Sequence, residues 1–190
     1  MKKQLIIYIL LLITFDSGFT RVGIGAAGGI LYPGLLKSEL YGSRFELGGG
    51  YEIYARHRLF QLGSHAKVDA RYFYRKYYCT SELPYTADTR FSFDYLAINL
   101  STAFKEGESY HIYAGAGIAL TNTQAAKDFL NVNDSLILPE LMAGVTYFWN
   151  KDYDVFLEMG IQFGSIQVRD DHVPVTGLRL TLGATMYLTE

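Results

Sequence analysis

The chain has 190 residues, 49% of them hydrophobic and 19% charged, with a formal net charge of -2. That length fits one domain, and the charge balance gives neither a basic field for nucleic acid nor an acidic tail. A lone cysteine, Cys79, excludes an intramolecular disulfide and a cysteine metal cluster, while 16 Tyr and 19 Gly favour strands with tight interior fits.

Lys2 and Lys3 precede an apolar run from Leu5 to Ile13, which Asp16 ends. A basic start with a short apolar core is the pattern of a secretory signal peptide, and the run is too short for a spanning helix, which needs about 20 residues. Residues 1–20 are therefore expected to be an export signal and 21–190 the mature domain, with cleavage between Phe15 and Arg21. No later stretch is apolar enough for a membrane helix.

From there the chain alternates with period two. In the first strand Val22, Ile24, Ala26, Gly28, Ile30 and Tyr32 share a greasy face, and Gly23, Gly25, Ala27 and Gly29 a small one. In the second, from Arg44 to Arg56, Phe45, Leu47, Tyr51 and Ile53 oppose Glu46, Glu52 and Arg56. In the third, from Gln61, Val68, Ala70, Tyr72 and Tyr74 oppose Lys67, Asp69, Arg71, Phe73 and Arg75. The fourth sets Leu96, Ile98, Leu100 and Phe104 against Ala97, Asn99 and Ser101; Phe91 and Phe93 fall out of phase with that greasy face, which predicts a bulge near Asp94. The fifth (Tyr110 to Leu120), sixth (Leu138 to Trp149), seventh (Tyr153 to about Val168) and eighth (Val175 to Leu188) alternate in the same way, with Glu140, Glu158 and Arg179 on their polar faces.

The connections alternate too. Short turns are expected near His57–Phe60, Lys105–Ser109 and Asn150–Asp152, and longer links at Pro33–Ser43, Cys79–Asp88, Asn122–Ser135 and Arg169–Pro174. Together these features predict an all-β fold: an eight-stranded antiparallel up-and-down transmembrane β-barrel, with short turns on the periplasmic side and long links outside.

A soluble lipocalin-like binder also alternates, but it keeps its apolar face inside. Here one face is nearly free of charge over about ten residues per strand, the length that crosses a bilayer at a tilt. Charges opposite it belong in a lumen, since a basic residue at mid-bilayer costs about 2–4 kcal/mol. An eight-stranded interior is just wide enough for side chains to fill. Glu46, Glu52, Lys67, Asp69, Arg71, Glu140, Glu158 and Arg179 are the expected lumenal network, which would plug the barrel. Rings at strand ends suggest two interfacial belts, Phe104, Tyr110, Trp149 and Tyr153 near the short turns and Tyr32, Phe45, Tyr74 and Phe91 near the long links.

The pattern resembles the small outer-membrane β-barrels of the OmpA/OmpX-like type, including the "porin family" barrels of Gram-negative Bacteroidetes. The strands that carry the resemblance are Tyr95-Leu96-Ala97-Ile98-Asn99-Leu100, Tyr113-Ala114-Gly115-Ala116-Gly117 and Gly177 through Leu188. It implies residence in the outer membrane, contact with outer-membrane lipid and insertion by the barrel assembly machinery. In that family the last strand commonly ends on an aromatic assembly signal; here Tyr187 and Leu188 are followed by Thr189 and Glu190.

No chemistry-bearing constellation emerges. His57, His65, His111 and His172 form no metal-spaced pair, and Ser64 is out of phase with His65, so a hydrolytic pairing is not expected. The segment Asp128 to Asp134 lacks the glycine and terminal glutamate of a calcium loop. Cys79 is expected as an exposed or interfacial thiol. The expectation is a monomeric, non-enzymatic barrel without cofactor, metal or nucleic-acid partner, serving a structural or surface-interaction role. The alternative is a narrow transport pore for small solutes.

Overall fold

A computed structural model describes residues 22–34, 45–62, 66–81, 89–107, 109–125, 133–168 and 171–188. The expected signal segment 1–20, the links at 35–44 and 126–132, and His65 lie outside the described residues.

Ten strands follow one another: β1 (Val22–Tyr32), β2 (Gly48–Leu62), β3 (Ala66–Ser81), β4 (Thr89–Glu106), β5 (Tyr110–Ala125), β6 (Asn133–Phe148), β7 (Tyr153–Gln162), β8 (Ser165–Val168), β9 (Asp171–Pro174) and β10 (Gly177–Leu188). Eight form a closed antiparallel barrel in the order β1-β10-β7-β6-β5-β4-β3-β2, and β8 and β9 make a separate hairpin. The barrel closes where β1 meets β10, from Val22 opposite Leu188 to Tyr32 opposite Leu178 without a break. Closure leaves every barrel strand with two neighbours, the condition for a sheet to cross lipid.

The alternation in sequence becomes a division between outside and inside. Ile24, Ile30, Ile53, Ile98, Leu141, Leu157, Met159 and Leu182 point outward and are exposed, while Glu52, Arg71, Glu140, Glu158 and Arg179 are buried within. A water-soluble binder would have the reverse arrangement. From Leu96 to Phe104 the outer face of β4 is greasy; at about 3.4 Å per residue and a tilt of about 40°, this is roughly 20 Å of height. The barrel is therefore built to stand in a membrane.

The expected bulge near Asp94 is absent: β4 pairs with β3 and β5 without a shift there, and the bulges fall between Arg58 and Phe60 and between Ala103 and Lys105. Phe91 and Phe93 lie in phase with Tyr95 and Ala97, all buried inside. The apparent phase break arises because apolar side chains change sides at this height, not because the backbone slips.

Other boundaries move as well. His57 lies within β2 rather than in a turn, its ring stacked on Tyr72 at 5.5 Å and 3°. β5 and β6 run past Leu120 and begin before Leu138, respectively. β7 stops at Gln162, and the chain then folds into the β8–β9 hairpin instead of continuing to Val168. The turn at Asn150–Asp152 is as expected: the Asn150 Oδ1 accepts from the backbone N–H of Asp152 (2.8 Å) and of Tyr153 (2.9 Å), a local side-chain bond that sets a tight reversal.

The hairpin turns inward at the long-link end. Ile166, Val173 and Val175 are fully buried in one cluster with Leu31, Phe45, Phe91, Phe93 and Leu138. Phe45 packs edge-on against Phe91 and Phe93, with ring centroids 5.1 and 5.3 Å apart. Gln162 fastens the hairpin base, its Nε2 donating to the Val175 carbonyl (3.2 Å) and to Tyr95 Oη (3.1 Å). The lumen thus has an apolar cap at one end.

Candidate functional site in the barrel lumen

Beneath the cap, inward side chains from five strands meet: Glu52 from β2, Arg71 and Arg75 from β3, Glu140 from β6, Glu158 from β7 and Arg179 from β10, none more than 4% exposed. Three guanidiniums face three carboxylates. Glu158 accepts from Arg71 Nη2 and, through Oε1, from Arg179 Nη2 at 2.8 Å. Glu140 takes both its oxygens to Arg75 Nη1 (3.0 and 2.7 Å), and its Oε2 lies 3.5 Å from Arg179 Nη1. Glu52 Oε1 lies 3.4 Å from both Arg75 Nε and Arg179 Nε. Each carboxylate thereby meets two guanidiniums.

Rings complete the set. Tyr113 and Tyr77 donate their hydroxyls to Glu158 Oε2 and Glu52 Oε1, both at 2.8 Å. The Arg75 guanidinium lies 4.1 Å from the Phe73 centroid, and that of Arg71 lies 5.0 Å from the Tyr113 centroid. Removing an ion from water costs several kcal/mol, so charges at this depth persist only when paired and hydrogen-bonded. Strand register makes room for them. Arg179 stands opposite Gly160, where a Cβ would come within 2.9 Å of its Nη2.

A second cluster lies toward the short turns. Asp69 binds Arg56 through Oδ2 (2.5 Å from Nη2) and Arg58 through Oδ1 (3.1 Å from Nε). Arg56 also approaches Asp154 at 3.7 Å, and Tyr187 donates to Asp154 Oδ2 at 2.5 Å. Arg56, Arg58, Lys67, Asp69, His111, Phe148 and Tyr187 line a cavity of about 120 Å³. Among the described residues no group of three or more His, Cys, Asp or Glu side chains is placed to hold a metal ion.

Of the eight expected lumenal residues, Glu52, Arg71, Glu140, Glu158 and Arg179 meet in the central ring, and Asp69 and Lys67 belong to the lower cluster. Glu46 is a correction: it is exposed and accepts from Thr80 Oγ1. The barrel strand begins only at Gly48, so residues 45–47 do not follow its alternation, and Phe45 turns inward in place of Glu46. Arg75, Arg56 and Asp154 were not in the expected set, although all three carry the right parity and needed only to be counted with their neighbours.

Phe104, Tyr110, Trp149 and Tyr153 are exposed at the short-turn end. Tyr32 is half-buried, and half-buried Tyr74 donates to Asp94 Oδ1 at 2.8 Å. Phe45 and Phe91 are corrections, since both are fully buried in the cap and belong to no outer belt. Cys79 is a third: it is buried beside Leu31, not exposed.

Comparison with known proteins places this architecture. No protein-family profile matches the chain, and no curated protein matches its sequence. Solved structures do match in shape. Neisserial surface protein A aligns over 88% of this chain and 96% of its own, with a TM-score of 0.58 and 14% identity. The outer membrane protein OprG from Pseudomonas aeruginosa aligns over 90% and 97%, with a TM-score of 0.61 and 9% identity. This chain has the fold of the small eight-stranded outer-membrane barrels. A third such barrel, the outer membrane protein AlkL, aligns over 92% of this chain and 94% of its own, with a TM-score of 0.56 and 11% identity. At such identities the likeness is one of backbone path, and the lumenal ring has to be read from this chain's own residues.

Proposed function

We propose that this protein is a non-enzymatic, monomeric barrel of the bacterial outer membrane with a structural or surface-interaction role, its lumen closed by its own side chains. The observation that carries this reading is the central ring, in which three arginines and three glutamates fill the interior beneath the apolar cap. The apolar cap of Phe45, Phe91, Phe93, Ile166 and Val173 closes the same passage a second time. Water and ions would have to break both. With the lumen shut, the long links are the surface left for recognition, as loops on a rigid scaffold commonly are. Residues 1–20 serve as the export signal, and the barrel assembly machinery inserts the mature chain.

Planar-bilayer recording on refolded protein tests the closed lumen. The expected result is no steady conductance; persistent large-conductance channels would sink the reading in favour of a transport pore. Cell fractionation with heat-modifiable gel mobility tests the location, and N-terminal sequencing of the exported protein tests the signal segment. Recovery in the soluble fraction, with the same mobility before and after boiling, would exclude a membrane barrel.

A further inference from the structure

On the outer face of β3 and β4 the greasy band stops at Tyr74 opposite Leu96. The next outward pair is Lys76 opposite Asp94, then Tyr78 opposite Ser92, then Thr80 opposite Arg90. Lys76 Nζ is 3.2 Å from Asp94 Oδ1 and lies over the Tyr78 ring, 5.6 Å from its centroid. The exposed Arg90 guanidinium lies over the same ring at 5.2 Å. Lys76 and Asp94 balance each other. Among the described residues, Arg90 meets no carboxylate, and its contact is the Tyr78 ring.

Height identifies what this patch meets. Lys76 is two residues above Tyr74, roughly 5 Å at the strand rise and tilt used above, and Tyr78 roughly 10 Å. The polar headgroup layer begins where the hydrocarbon ends and is about 5–8 Å deep on each side. Lys76 therefore stands in that layer. Arg90, based higher on β4, folds back over Tyr78 toward it. Directly beneath are exposed Ile98 and Leu120, an apolar wall suited to acyl chains. A cationic head above a greasy wall matches an amphipathic molecule, with a polar anionic end and long hydrocarbon tails, better than it matches a free ion.

We propose that Arg90, Lys76 and Tyr78 form a docking site for the net anionic, phosphate-bearing headgroup of a lipid in the membrane leaflet at the long-link end. Arg90 contributes the net charge and a planar fork of donors that fits two phosphate oxygens at once, and Lys76, its charge balanced by Asp94, a further N–H donor beside it. The Tyr78 ring holds the two cations apart and oriented.

The test is native mass spectrometry of the full barrel, released from neutral detergent and titrated with lipid A as the phosphate-bearing probe. A zwitterionic phospholipid and inorganic phosphate serve as comparisons. Expected are saturable retention of lipid A, weaker retention of the zwitterionic lipid, and no displacement by inorganic phosphate. Arg90→Gln should weaken lipid A retention about tenfold, as loss of a charge-assisted bidentate contact predicts. Lys151→Gln, which removes an exposed cation at the opposite end, should change nothing. Heat-modifiable mobility confirms that each variant is folded, and Tyr78→Leu provides a second variant with the same expected direction. Equal retention of both lipids, no effect of Arg90→Gln, or an equal drop for Lys151→Gln overturns the site. Displacement by inorganic phosphate overturns the assignment to a lipid.

Discussion

The membrane-level belt of the barrel and its rim at the long-link end are made from the same strands, yet they are inverted with respect to each other. In the belt, Leu157, Met159 and Leu182 face out and the Arg–Glu ring faces in. Directly above that level on β3 and β4, Lys76, Asp94, Ser92 and Arg90 face out, while Tyr77, Phe91 and Phe93 face in. The backbone does not change phase between these levels; the solvent does. Lipid surrounds the belt and demands an apolar exterior, which leaves the interior as the only place for charge. Water surrounds the rim, so the ordinary rule of globular proteins returns and the rim builds an apolar core. The two levels also fill the interior by different means, one with paired charge and the other with packed rings.

The belt should be the more fragile of the two to loss of a single side chain. Glu158 holds both Arg71 and Arg179. Glu158→Ala leaves the buried Arg71 guanidinium without a counter-ion and takes from Arg179 the nearest of its three, and should destabilise the barrel by about 3–5 kcal/mol, read by urea unfolding in lipid vesicles. A loss under about 1 kcal/mol would mean that water already enters the ring, and would weaken the closed-lumen reading with it.

The cap should respond as a hydrophobic core does. Phe93→Ala removes a fully buried ring packed against Phe45 and Tyr95 and should cost about 3 kcal/mol, near the lower end for such truncations because the β8–β9 hairpin can settle into the gap. A second readout isolates the cap from the belt. Cys79 is buried beside it, so a thiol reagent should modify native protein slowly and the Phe93→Ala variant at least several-fold faster. Glu158→Ala, acting lower in the lumen, should change that rate far less. Equal acceleration in both variants would show that the two closures are one cooperative unit.

The inversion also explains what was and was not legible in the sequence. The belt could be read directly, because period-two alternation with charge opposite grease extends over whole strands such as β7 and β10, and five of the residues it nominated meet in the ring. The rim could not be read by the same rule. Phe45, Phe91 and Phe93 looked like outward rings because apolar was equated with lipid-facing, and Glu46 looked lumenal because charged was equated with inward. Both equations hold only at membrane height, and height is a property of the closed barrel, not of any one strand. The β8–β9 hairpin was hidden for a related reason: Ile166 and Val175 alternate well enough to pass as the ends of barrel strands, which left Val173 in the expected link Arg169–Pro174. Arg75 was visible on the correct face of β3 and lies opposite Glu52 on β2, but its shorter ion pair is with Glu140, three strands away in the barrel order. Pairings at that separation are set by closure.

Placing an arginine on the outer face measures the boundary between the two levels directly. Leu182 is outward near the middle of β10 and 65% exposed, so Leu182→Arg puts a charge into hydrocarbon and should cost about 2–4 kcal/mol in vesicles. Ser92 is also outward, opposite Tyr78 at the rim, and Ser92→Arg should cost about 0–1 kcal/mol, the value for a basic residue at the interface. Both variants keep the lumen intact, so the difference between them reports only the surroundings of the outer face. Folding both in detergent, where no bilayer thickness is imposed, should shrink that difference. If Ser92→Arg were as costly as Leu182→Arg in vesicles, hydrocarbon would extend past Tyr78. The inward Phe91 and Phe93 would then sit at lipid height, and the change of sides along β4 would need a cause other than a change of solvent.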